Sequence, residues 1–121
     1  MKNKKDLAYQ VTREGATESP FSGEYLNNKK EGYYSCINCN KTIFSSEHKF
    51  DSGTGWPSFF RSVDDKAVKE LEDNSYGMKR VEIKCSSCNS HLGHVFPDGP
   101  PPTGLRYCIN SVALNFKEEK K

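Results

Sequence analysis

Two Cys-x-x-Cys pairs, Cys36/Cys39 and Cys85/Cys88, constrain this chain more than any other feature. Each pair has the spacing of a zinc knuckle, and four thiolates complete the tetrahedral shell that Zn2+ favours. The stretch between the pairs is longer than the insertion of a compact zinc finger. The fold must therefore bring two separate hairpins to one ion. A shell closed by four sulfurs has no place for a substrate, so the expected role is structural, with one Zn2+ per chain. Two redox disulfides, or an iron site on the same thiolates, are the competing readings. Metal content separates them.

The local pattern around the first pair fits a hairpin. Tyr33-Tyr34-Ser35-Cys36-Ile37 and Thr42-Ile43-Phe44 flank a turn at residues 38–41, as strands flank a knuckle. Residues 78–84 alternate as a strand into the second knuckle. His91-Leu92-Gly93-His94-Val95-Phe96 then runs to a turn at Pro97-Asp98-Gly99. Residues 105–116 read as one long final strand. A short helix is expected near residues 7–11, and residues 64–73 are the best helix candidate. There Val68 and Leu71 are three apart and Asp64 or Asp65 can supply the N-cap. Residues 1–31 carry turn formers and, outside the short helix near residues 7–11, read as an extended wrap around the core.

The 121 residues suit one domain, 1–121. Only 34% of them are hydrophobic, and the mean hydropathy is -0.83. A bound metal would therefore help the chain hold its fold. The charges, 18 Lys+Arg against 16 Asp+Glu, are too balanced to argue for nucleic acid or an anionic membrane. Lysines gather at both ends, so residues 1–6 and 117–121 are expected to be disordered tails. No apolar run can span a bilayer, and no apolar stretch follows the first lysines as in a secretory signal. Cysteine pairs without export features point to a reducing cytoplasm.

Four cysteines for one ion leave Cys108 over. On a strand, Arg106, Cys108 and Asn110 share one face, while Tyr107 and Ile109 take the other. A guanidinium beside a thiol favours thiolate, and an Asn amide can orient a substrate or water. His91 and His94 follow the second knuckle, and histidine is suited to proton transfer near neutral pH. Together these residues describe a nucleophile with an acid at hand. Each taken alone has a plainer reading. A lone strand cysteine is more often a buried hydrophobe, and His48 is assigned as a hydrogen-bonded structural group. Trp56, the sole tryptophan, is core by default, but it sits in a Gly-rich loop where a large ring often lines a pocket.

Longer motifs add a resemblance. Phe50-Asp51-Ser52-Gly53-Thr54-Gly55-Trp56-Pro57-Ser58-Phe59, the His91 to Phe96 run and Gly104-Leu105-Arg106-Tyr107-Cys108-Ile109-Asn110 resemble the B-type methionine-R-sulfoxide reductases. Val11-Thr12-Arg13-Glu14, Pro20-Phe21-Ser22-Gly23-Glu24-Tyr25 and both knuckles do so too, and the likeness runs from about Tyr9 to Phe116. It implies a mainly β, tent-like fold of two small antiparallel sheets with short helices, the zinc lying opposite the active site. It also implies an oxidoreductase that repairs oxidative damage by reducing methionine-R-sulfoxide, free or within proteins. In that reading Cys108 attacks the sulfoxide sulfur and is left as a sulfenic acid. His94, with His91, protonates the oxygen, Trp56 holds the substrate methyl, Arg106 promotes the thiolate and Asn110 orders the polar side.

One departure from the family stands in the Gly-x-Gly-Trp-Pro loop, where many members carry a resolving cysteine. Here that residue is Thr54. Thioredoxin, glutaredoxin or a small thiol is then the expected reductant. Nothing demands more than a monomer. The alternative from a different class is a non-catalytic zinc module that binds a protein partner. Such a module needs none of Cys108, His91, His94 and Arg106.

Overall fold

The computed structural model describes residues 4–74 and 77–119, and among these residues nine strands form two antiparallel sheets. The small sheet holds β1 (Gly32–Cys36), β2 (Thr42–Ser45) and β9 (Leu114–Glu118), in the order β2-β1-β9. The large sheet holds β3 (Lys49–Phe50), β4 (Ser58–Phe59), β5 (Val68–Asp73), β6 (Arg80–Cys85), β7 (His91–Phe96) and β8 (Arg106–Ile109). Its order is β3-β4-β8-β7-β6-β5. The mainly β architecture and the hairpin at the first knuckle are as expected.

Aromatic side chains close the two sheets on one another. Tyr34 and Phe44 come from the small sheet, Phe59 and Tyr107 from the large one. Phe44 stacks on Phe59 with ring centroids 4.4 Å apart, and Tyr34 meets the same Phe59 edge-on at 5.2 Å. Tyr34, Phe44 and Phe59 are fully buried, and such contacts add about 0.5–1.5 kcal/mol per pair beyond area burial. Ile43, Ile83, Leu92, Ile109 and Leu114 fill the space around them.

The N-terminal helix α1 (Lys4–Glu14) is longer than residues 7–11 suggested. It packs against β7 and the short 3-10 helix Ser111–Ala113, with Val11 fully buried. The tail expectation is corrected at both ends. Residues 4–6 are helical, and residues 117 and 118 pair with Tyr33 and Gly32. Residues 1–3 and 120–121 lie outside the described residues.

Two further expectations fail for identifiable reasons. Residues 64–73 form a turn and a strand, not a helix. The Asp64 carboxylate accepts the Lys66 N–H at 2.7 Å, which makes a side-chain turn in place of an N-cap. From Val68 to Asp73 every residue pairs with β6. As the outer edge of the sheet β5 stays charged and mostly exposed, which blunts edge-to-edge pairing. The long final strand breaks after Ile109. The 3-10 helix then carries the chain across from the large sheet to β9 in the small one.

Candidate active site

The four paired cysteines meet as the spacing predicted. Their sulfurs all lie within 4.8 Å of one another. Cys36 and Cys88 are 3.6 Å apart, Cys39 and Cys85 3.5 Å. A tetrahedron of Zn–S bonds has edges of roughly 3.8 Å, so the cradle fits that ion. The two knuckles share one turn. Asn40 and Asn89, each directly after its second cysteine, take left-handed φ of 66° and 61°. Each donates its N–H to the carbonyl of the first cysteine, at 2.8 and 2.9 Å. Asn tolerates this conformation better than other side chains. Burial, with the adjoining sulfurs, pushes the Cys85 thiol up to about 12. Four thiolates therefore require a cation to share this volume.

Cys108 lies apart from that cluster, on the middle strand β8. Its Cα pairs with Ser58 of β4 on one side and with His94 of β7 on the other. Beside Cys108 opens a cavity of about 270 Å3, lined by Cys108, His94, Trp56, Arg106 and Asn110 among others. Gly93 allows the strands to come this close. A Cβ there would fall 2.0 Å from the Cys108 carbonyl oxygen. Strand alternation thus put Arg106, Cys108 and Asn110 on one face correctly, with Tyr107 and Ile109 buried behind them.

The charges at Cys108 partly oppose expectation. Burial pushes the thiol above its ordinary value, and the Arg106 charge and the Thr54 hydroxyl pull it back without cancelling that push. Arg106 is already engaged. It donates twice to the Asp98 carboxylate, at 2.9 and 3.2 Å, and lies over the Phe96 ring at 4.5 Å. Thr54 is fixed beside Cys108 by a hydroxyl chain, Thr54 to Ser52 at 2.8 Å and Ser52 to Ser58 at 2.7 Å.

The two histidines are placed differently. His94 lines the cavity, with Nε2 2.7 Å from an Asp73 carboxylate oxygen. That same oxygen takes a hydrogen bond from Arg80 at 3.3 Å. His91 is only 5% exposed and does not line the cavity. Its Nδ1 lies 2.6 Å from Glu82, and burial holds its pKa below the ordinary value despite that carboxylate. The rings sit 5.5 Å apart. His48 lies outside the cavity and packs on Phe60 at 5.2 Å. Among the described residues its buried Nδ1 has no hydrogen-bond partner, so ring packing and not the expected hydrogen bond holds it there.

Glu18 organises the site, and nothing in its sequence context announced it. It is 2% exposed. Its carboxylate accepts the N–H groups of Ser111 and Val112 at 2.9 and 3.0 Å. Its own N–H donates to Asn110 Oδ1, and its carbonyl accepts the Trp56 indole N–H, both at 3.0 Å. Asn110 Nδ2 donates to the Leu92 carbonyl at 3.0 Å. One residue from the N-terminal wrap thus ties Trp56, Asn110 and the turn after β8 together. Burial raises the Glu18 pKa against these donors. Asp73, Glu82 and Asp98 were also unforeseen as partners, because strand register decides which base each acid meets.

The chain is similar to known proteins. The SelR domain family model matches residues 5–118. The chain is 58% identical over 114 residues to the peptide methionine sulfoxide reductase MsrB of Thioalkalivibrio sulfidiphilus (strain HL-EbGR7), covering 94% of this chain and 83% of that protein. It is 60% identical over 108 residues to the protein of the same name from Pseudomonas fluorescens (strain Pf0-1), covering 89% and 82%. Among solved structures, the Mis18 "Yippee-like" domain matches with a TM-score of 0.60 at 16% identity, covering 76% of this chain and 100% of that one. This last likeness concerns the fold alone.

Proposed function

The chain belongs to the SelR family of B-type peptide methionine sulfoxide reductases and is an oxidoreductase acting on methionine sulfoxide; from that premise we propose that Cys108 is its nucleophile and the R epimer its substrate. One observation carries this reading. The single cysteine outside the metal cluster opens into a cavity with a histidine directly across the strand pair and a tryptophan beside it.

The chemistry follows from what each atom can do. A Cys108 thiolate attacks the sulfoxide sulfur, and the S–O bond weakens as its oxygen takes up a proton. With Nε2 of His94 held by Asp73, Nδ1 is the nitrogen left for that oxygen. The Asp73 contact orients the ring. His91, buried behind it, supports the ring. Trp56 offers an apolar wall for the substrate methyl, and Arg106 offsets part of the burial penalty on the thiolate. Oxygen passes to Cys108, methionine leaves, and a sulfenic acid remains.

Thr54 takes the place at Cys108 that a resolving cysteine would need, and a hydroxyl forms no disulfide. An external thiol therefore condenses with the sulfenic acid, releasing water, and a second thiol frees Cys108. Thioredoxin, glutaredoxin or a small thiol would serve. Cys36, Cys39, Cys85 and Cys88 would hold one Zn2+, which closes the knuckles together and takes no part in the reaction. Repair of oxidised proteins in the cytoplasm, by a monomer, is the setting that suits this chemistry.

Cys108→Ser tests the assignment. Turnover of methionine-R-sulfoxide should fall by about a thousandfold or more, with melting temperature and metal content unchanged. Activity retained on the R epimer would reject it.

A further inference from the structure

We propose that Phe21 is the contact for the residue next to methionine sulfoxide in a peptide or protein substrate, and so sets the preference for bound over free substrate. This rests on the reductase reading above. A cavity of about 270 Å3 falls just below the roughly 300–1,000 Å3 of sites that enclose a whole small ligand. It takes one side chain. The rest of a peptide must then lie on the surface around its mouth.

Phe21 sits against the loop that forms one wall of the cavity, over Gly55, which lies between Thr54 and Trp56. The residue is 70% exposed, more than any other large hydrophobic residue among the described residues. Its backbone has φ 64°, a conformation costly for a bulky side chain, and strain of this kind concentrates at functional sites. The surroundings enforce it. The Phe21 N–H donates to the Gly55 carbonyl at 2.7 Å. A Cβ on Gly55 would lie 2.7 Å from the Pro20 side chain and 3.1 Å from the Phe21 ring. Only glycine, itself at φ 97°, lets the aromatic settle there. Thr54 and Trp56, on either side of Gly55, both line the cavity.

The ring is thus held against the loop whose neighbouring residues line the cavity, while most of the residue is left to water. Core packing would bury it and a plain turn would not need it. A rigid, exposed aromatic beside a side-chain-sized hole suits an apolar residue flanking the inserted methionine. Phe21 is a specificity residue in this account, since it does not itself line the cavity into which Cys108 opens.

The test compares the full-length protein with Phe21→Asn and Phe21→Tyr. Asn tolerates left-handed φ and keeps the turn while removing the ring; Tyr keeps both. Three substrates are used: a single blocked methionine-R-sulfoxide, a peptide with leucine beside the sulfoxide, and the same peptide with glycine there. Wild type should favour the leucine peptide. Phe21→Asn should lose about fivefold in kcat/KM on that peptide, through KM, and keep turnover of the blocked amino acid. Phe21→Tyr should restore the preference. Equal losses on all three substrates would overturn the proposal in favour of a structural turn. So would no loss on any, or a raised KM for the thiol reductant with peptide KM unchanged. A wild type inactive on all three would overturn the reductase reading itself.

Discussion

Two groups of cysteines in one small protein show how surroundings divide a single functional group between jobs. At the knuckles four sulfurs crowd within 4.8 Å, two of them buried. Each has other sulfurs as its neighbours, and the shared turn geometry leaves them one use, to close around a cation. On β8 a single sulfur has Ser58, His94 and Thr54 around it and a cavity in front. Among the described residues no second sulfur lines that cavity to take its electrons or share its charge. The first arrangement removes thiolates from chemistry. The second, on the proposed reading, keeps one for it. Proximity among the sulfurs, more than burial, makes the difference, since Cys108 is itself partly buried and its pKa is raised by that burial.

The contrast can be broken most forcefully at the knuckles. Cys85→Ser should lose bound zinc and, with it, the fold. Structural zinc contributes roughly 10–16 kcal/mol in small metal-dependent domains, against a typical domain stability of about 5–15 kcal/mol. Metal analysis and calorimetry should show the metal gone and the transition lowered or absent. A Cys85→Ser protein as stable as wild type would mean that the cluster does not hold the fold.

Glu18 tests the other side, where one buried acid props up the catalytic face. Glu18→Ala leaves the Ser111 and Val112 amides without their acceptor, at a cost of about 1–3 kcal/mol for each. Trp56 and Asn110 bond to its backbone, so those links survive the substitution. Denaturant unfolding should give a loss of about 2–4 kcal/mol, and turnover should fall less than in Cys108→Ser. The charge itself has a pH signature. Because burial raises the folded pKa of Glu18, its contribution is full below the ordinary value near 4.5 and is lost as pH rises through the raised value. The stability of wild type relative to Glu18→Gln should therefore fall as pH climbs from about 4.5. A difference that rises with pH would contradict this.

The smallest effect is expected at Arg106. Cys108 should alkylate faster as pH rises, with a midpoint above the ordinary thiol value of 9.0. Arg106→Ala removes the largest influence favouring thiolate, moves that midpoint further up and slows alkylation at any pH below it, by about tenfold per pKa unit. The Asp98 pair, already holding Arg106, keeps the change modest. An unchanged profile would show that Arg106 does not act on the thiol.

Much of this contrast is legible in the residues themselves. Cys-x-x-Cys spacing pairs the knuckles, and period-two alternation places Arg106, Cys108 and Asn110 on one face. What alternation cannot give is register. Asp73 meets His94, and Glu82 meets His91, only once β5, β6 and β7 are aligned. Residues 64–73 misled for a related reason. An exposed edge strand has no buried face to write an alternating pattern, so Val68 and Leu71 were left to suggest a helical period. The break after Ile109 and the reach of Glu18 depend on contacts with a distant segment, to which local propensity is blind.

The central claim is that Cys108 works without a sulfur partner inside the chain. One turnover on methionine-R-sulfoxide without reductant, followed by intact mass and a sulfenic-acid trap, tests it directly. The account predicts one added oxygen on Cys108, captured by the trap, with the four knuckle cysteines still holding their metal. An intramolecular disulfide joining Cys108 to any of them would contradict it.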